Sequence, residues 1–115
     1  MDYIEELHRI EQEFSLLDDK SYNTIEEANR CLIKYDELLD HLVLIIKQAL
    51  NDGGCSISLK DRIVKKASEL LGSHIGSADD MKKYGDSFDD FHIKGLITYN
   101  QLHYFRDNLD IGRWR

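Results

Sequence analysis

Residues 25–50, IEEANRCLIKYDELLDHLVLIIKQAL, decide the fold of this chain. Their apolar side chains recur at alternating steps of three and four, the period of one face of an α-helix. The main stripe and its flank are Ile25, Ala28, Leu32, Tyr35, Leu39, Leu42, Ile46 and Ala49, with Cys31, Leu38 and Ile45. The pattern predicts a long amphipathic helix from about residue 24 to residue 50, central to a compact helical bundle.

Four further helices are predicted around this one. The first covers about residues 3–17, where apolar residues again follow the helical period. The other starts are indicated by residues that cap a helix through their side chains, and Gly72 indicates the end of the third helix. These caps are Thr24 for the long helix, then Ser58 with Asp61, Ser77 with Asp80, and Thr98 with Gln101. Residues 1–115 therefore predict a single all-α domain of about five helices.

The composition narrows the class of protein. The 115 residues are 42% hydrophobic and contain no proline, which suits a globular, nearly all-helical chain. The start is acidic, unlike a secretory signal, and the longest apolar run is too short to span a membrane. Two cysteines are too few for a disulfide framework. We expect a cytoplasmic protein that does not contact the membrane.

The charge is concentrated in the first half of the chain. Residues 1–57 hold 13 acidic and five basic side chains, a net of −8, whereas residues 58–115 hold nine acidic and ten basic, a net of +1. A nucleic-acid binder would show the opposite sign. An acidic face attracts basic protein surfaces, although mild acidity also serves ordinary solubility. We expect a basic protein partner and no nucleic acid.

A second line of residues lies opposite the apolar stripe of the long helix. At 100° per residue, Ile33, Glu37, Asp40 and Leu44 fall together, with Glu26 before them on the same side. We call these five residues the outer face. Aliphatic side chains would supply buried area and carboxylates would steer a basic partner. The alternative is that neighbouring helices cover Ile33 and Leu44, because residues 43–46 are apolar all round.

The candidate catalytic and metal-binding residues do not form a known pattern. Glu5 and His8 have the spacing of di-metal helical bundles, but that pair occurs once and such ligands point into a core. His103 and Arg106 lie one turn apart without a ribonuclease-type spacing. We therefore expect no metal, no cofactor and no enzymatic activity.

Size, charge and helical content together favour a binding role. The profile is shared by many immunity proteins that neutralise a basic nuclease toxin, and this is an argument from general properties, not from a motif. The first hypothesis is an inhibitor whose outer face covers the active or substrate-binding surface of a basic toxin. The alternatives are a homodimeric structural or adaptor protein paired through Ile33 and Leu44, and a small helical enzyme.

Overall fold

Five α-helices make up most of the part of the chain that the structure describes. This computed structural model describes the backbone of residues 2–113 and the side chains of residues 2–110. The helices are α1 (Tyr3–Asp18), α2 (Ile25–Leu50), α3 (Ile57–His74), α4 (Ala78–Ile93) and α5 (Tyr99–Arg113). The predicted all-α bundle of about five helices is confirmed. Within the described ranges, no helix combines the length and the apolar character needed to cross a bilayer.

The helix α3 connects the two parts of the bundle. It packs against α1, α2 and α5, while α4 packs mainly on α5. One continuous apolar core runs through these contacts, from Phe14 in α1 through Leu42 in α2 to Phe105 in α5. α4 is held mainly by α5. The first turn of α4 and the first half of α2 are therefore not packed together, and the surface between them is open.

Most of the predicted helix starts are confirmed by their hydrogen bonds. The Thr24 side chain accepts from the amide of Glu27, and Ser77 caps α4 in the same way. Thr98 and Gln101 form a reciprocal capping box, in which each side chain accepts from the other residue's amide.

The predicted start of α3 at Ser58 is wrong by two residues. The cap is Ser56, whose hydroxyl accepts from the amide of Leu59 at 3.1 Å, so Ile57 already lies in the helix. Asp61 is consequently free of a capping role. Its carboxylate instead accepts from the Gln101 side chain at 3.0 Å and ties α3 to α5.

The prediction that Gly72 ends α3 is also wrong. The helix continues to His74, and Gly72 is buried where α3 and α5 cross. A Cβ atom at this position would lie 2.6 Å from the carbonyl oxygen of Asn108 in α5. Glycine is therefore required for the close approach of two helices and not for a turn.

The predicted apolar stripe of α2 is buried mainly along its later part, although Cys31 in the first half is buried too. Leu38, Leu42 and Ile46 are core residues, as predicted, but Ile25 is 80% exposed and Leu32 is 61% exposed. The first half of α2 extends past the place where neighbouring helices cover this side. A helical period identifies a face but does not say how far along the helix that face is covered.

Candidate binding surfaces on the long helix

The outer face is exposed along its full length. Its two aliphatic residues are uncovered, with Ile33 59% exposed and Leu44 49% exposed, and its three acidic residues are exposed as well. The alternative prediction, in which neighbouring helices cover Ile33 and Leu44, is therefore wrong. Over about five turns, α2 presents two apolar side chains with carboxylates between and before them.

The three acids of the outer face differ in how strongly the chain itself holds them. Glu26 lies in the first turn of α2, where the helix dipole favours a negative charge. Glu37 lies 3.9 Å from Lys34, a weak exposed ion pair. Asp40 accepts hydrogen bonds from Lys83 and from the Tyr84 hydroxyl, each at 2.8 Å. Glu26 and Glu37 are thus the carboxylates most open to a partner.

Asp40 is a structural link as well as a surface charge. Partial burial opposes its ionisation, but the hydrogen bonds from Lys83 and Tyr84 outweigh this and lower the pKa of the carboxyl group. Burial, together with the Asp40 carboxylate, raises the pKa of Tyr84 above its ordinary value. Because both bonds go to Oδ1 of Asp40, Oδ2 accepts neither of them and can still accept from solvent or a partner. Charge reversal at Asp40 would therefore disturb the attachment of α4.

Many other carboxylates in the first half of the chain are engaged within the molecule. Glu6 and Glu13 pair with Arg9, and Glu11 pairs with Lys66 of α3 at 2.7 Å. Asp52 accepts from the Tyr3 hydroxyl at 2.8 Å. Much of the acidity that the sequence places early therefore stabilises the bundle, and the free negative charge is concentrated on α2.

An open groove lies beside the outer face, between the first half of α2 and the start of α4. We call it the α2–α4 groove, and its volume is about 640 Å³. Its apolar lining is Leu32 and Leu39 with the ring of Tyr35, and its acidic lining is Asp18, Asp36, Asp79 and Asp80. No lysine or arginine is among its lining residues. The groove thus combines an apolar floor with acidic walls.

The end of this groove nearest α1 is closed by a Tyr–Asp–His cluster. The Tyr35 hydroxyl donates to the Asp18 carboxylate, and the other Asp18 oxygen lies 3.2 Å from Nε2 of His74. Nδ1 of His74 faces the carbonyl oxygen of Leu70 at 2.9 Å. Since a neutral imidazole has only one N–H, both contacts are hydrogen bonds only for the protonated ring. Burial and the Asp18 carboxylate raise the pKa of Tyr35.

The opposite flank of α2 carries positive charge. A groove of about 620 Å³ there is lined by Lys20, Arg30 and Lys34, with Glu27 as its one acidic lining residue. The first half of α2 therefore separates a basic flank from the outer face and the α2–α4 groove. This asymmetry would orient a charged partner as well as attract it.

Sequence reasoning missed the α2–α4 groove. Asp36 falls between the predicted core stripe and the outer face, and the sequence predicts a role for Asp80 only beside Ser77 at the start of the fourth helix. The helical period does place Asp36 beside Leu32, four residues earlier. The sequence does not predict that the start of α4 lies on this side of α2, because that position depends on the direction in which the chain turns after α3.

The residues considered for chemistry are not brought together. His103 lies 3.3 Å from Asp107, whereas Arg106 bonds Asp89 of α4 at 2.6 Å. Among residues 2–110, no three side chains of histidine, cysteine, aspartate or glutamate converge as metal ligands would. Cys31 and Cys55 are both buried free thiols.

Comparison with known proteins gives no relationship for this chain. No protein-family model matches it, and neither the curated proteins nor the solved structures contain a significant match.

Proposed function

We propose that this domain binds a basic protein through the outer face of α2, as an inhibitor or immunity protein does when it covers the working surface of a toxin. The observation that supports the proposal is the exposure of Ile33 and Leu44 on either side of Glu37. Apolar groups at the centre of such a patch contribute buried area, and the acids raise the rate of encounter with a cationic surface.

Self-pairing through the same residues is the competing explanation. The exposed Ile33 and Leu44 would fit a homodimer of long helices. Antiparallel pairing about this patch would, however, bring Glu37 and Asp40 of one copy close to the same residues of the other. Like charges at an interface are unfavourable, so the outer face suits a basic partner better than a second copy.

The test is capture of partners from the native cell by immobilised domain, followed by affinity measurement with each purified partner. Glu37→Lys and Leu44→Ala should each weaken binding by about fivefold or more, and binding should weaken with added salt. Asp110→Lys is the matched charge control, because Asp110 is exposed at the far end of α5. If Glu37→Lys and Asp110→Lys bind equally, the outer face is not the interface. Sedimentation of the free domain as a dimer would instead support self-pairing.

A further inference from the structure

We infer that the α2–α4 groove is a subsite for an arginine or lysine side chain of a basic protein partner. The inference deepens the proposed function and rests on it, since the groove adjoins the outer face on the same helix. It adds a different contact, in which one long cationic side chain of the partner is enclosed between two helices.

The apolar floor of the groove fits the stem of such a side chain. Leu39 is buried beneath the groove, so the apolar surface open to a ligand comes from Leu32 at its rim and from the partly buried ring of Tyr35. Arginine and lysine carry aliphatic stems that lie on apolar surface while their charged ends stay near water or a carboxylate. Covering Leu32 would also remove from water an apolar side chain that the bundle leaves uncovered.

The walls of the groove supply carboxylates that the chain does not neutralise. Among the described residues, the carboxylates of Asp36, Asp79 and Asp80 form no ion pair. Lys83 lies within electrostatic reach of Asp36 and Asp80, but its ammonium group bonds Asp40. Asp18 is already bonded to Tyr35 and His74. A guanidinium group is the cation best suited to this arrangement, because its planar donors can bond two carboxylates at once.

Among the acids of the groove, Asp36 is the one that neither lies in the first turn of a helix nor bonds another described side chain. Asp79 and Asp80 stabilise the positive first turn of α4, which accounts for their charge. Asp36 lies in the middle of α2, away from either helix end, and faces the same space. Charge complementarity therefore favours a cationic occupant over an anionic or purely apolar one.

The probe for this inference is a capped tetrapeptide of alternating leucine and arginine, titrated into the domain and followed through backbone amide shifts by NMR. Saturable shifts should be concentrated at residues 32–39 and 76–80. The same peptide with citrulline in place of arginine keeps the shape but not the charge. It should bind about tenfold more weakly, since it loses the charge-assisted hydrogen bonds.

Matched variants separate the groove from the rest of the surface. Asp36→Asn and Leu32→Ala should each weaken binding of the arginine peptide several-fold. Asp110→Asn and Leu16→Ala change an equally exposed acid and an equally exposed leucine elsewhere, and should have no effect. All of these positions are exposed, so the variants should keep the fold, which circular dichroism would check.

The outcomes distinguish the subsite from the proposed function. Equal binding by Asp36→Asn and Asp110→Asn, or shifts confined to the outer face, would overturn the subsite and leave the outer face untouched. If the domain dimerises and Asp36→Asn dissociates the dimer, the occupant is a second copy, which also overturns the inference. If Asp36→Asn abolished binding of a captured partner and Glu37→Lys did not, the groove would be retained as a binding site and the outer face would be rejected as one.

Discussion

Gly72 lies where α3 and α5 approach each other too closely to admit a side chain. Replacing it by alanine would place a Cβ atom 2.6 Å from a backbone carbonyl oxygen of Asn108, which cannot rotate away as a side chain could. We expect Gly72→Ala to lower the free energy of unfolding by about 1–3 kcal/mol, because α5 must shift from α3. Urea denaturation would measure the loss.

Gly85 provides the control for this substitution. It also lies inside a helix, but a Cβ atom there would meet nothing within 4 Å. Gly85→Ala should therefore stabilise the domain by up to about 1 kcal/mol, the difference in helix propensity. If both substitutions changed stability in the same direction, the crossing of α3 and α5 at Gly72 would be wrong.

The two glycines also show what a single residue type can and cannot predict. Gly72 has the spacing of a helix end, and the sequence offers no sign that another helix crosses it there. Its role depends on Asn108, which lies 36 positions later in the chain. A contact between residues so far apart is fixed by the path of the chain and not by local pattern.

The start of α3 offers a comparison of two serines that differ by two positions. Ser56 accepts the amide hydrogen bond of Leu59, whereas Ser58 lies inside the first turn and is exposed. Ser56→Ala should therefore cost about 1 kcal/mol of stability, and Ser58→Ala should change it by less than about 0.5 kcal/mol. Thermal denaturation of both variants would decide, and the reverse order would mean that α3 begins at Ser58.

Among the helices, α2 shows most clearly which features a helical period in the sequence can predict and which it cannot. The sequence predicted its length, its cap at Thr24 and its two opposite faces, because each depends on residues within α2 itself. It did not predict that Ile25 and Leu32 would be exposed. Coverage depends on α4, whose place is set by α5 and by the bond between Asp40 and Tyr84.

Across the domain, the carboxylates fall into two groups: those that bond other groups of the chain and those that are exposed on the surface. Most carboxylates of α1, together with Asp40, Asp52 and Asp61, bond cations, hydroxyls or amides of the same chain. Glu26, Glu37 and Asp36, by contrast, project from α2 with at most one weak ion pair among them. The uneven distribution of charge along the sequence therefore reflects bonds within the bundle as well as an exposed anionic surface, to which α2 contributes most of the early carboxylates.

The carboxylates that bond other helices make stability depend on acidity. A backbone N–H of Gly54 and then the Tyr3 hydroxyl hold the pKa of Asp52 below its ordinary value of 3.8. Bonds from Lys65 and then Gln101 lower the pKa of Asp61 in the same way. Lowered pKa values in the folded state mean that the unfolded chain binds protons first as the pH falls.

We therefore expect the free energy of unfolding to be steady near neutral pH and to decrease as the pH falls through about 4 and below. The contribution of each carboxylate is present above the unfolded pKa and is lost as the folded pKa is passed. Asn at positions 52 and 61 keeps an oxygen acceptor but does not titrate, so the double variant Asp52→Asn, Asp61→Asn should show a shallower decrease than the wild type. Urea midpoints measured at constant ionic strength from about pH 6 to pH 3 would test this. An equal slope for both proteins would mean that the bonds that lower the pKa values of Asp52 and Asp61 do not form in solution.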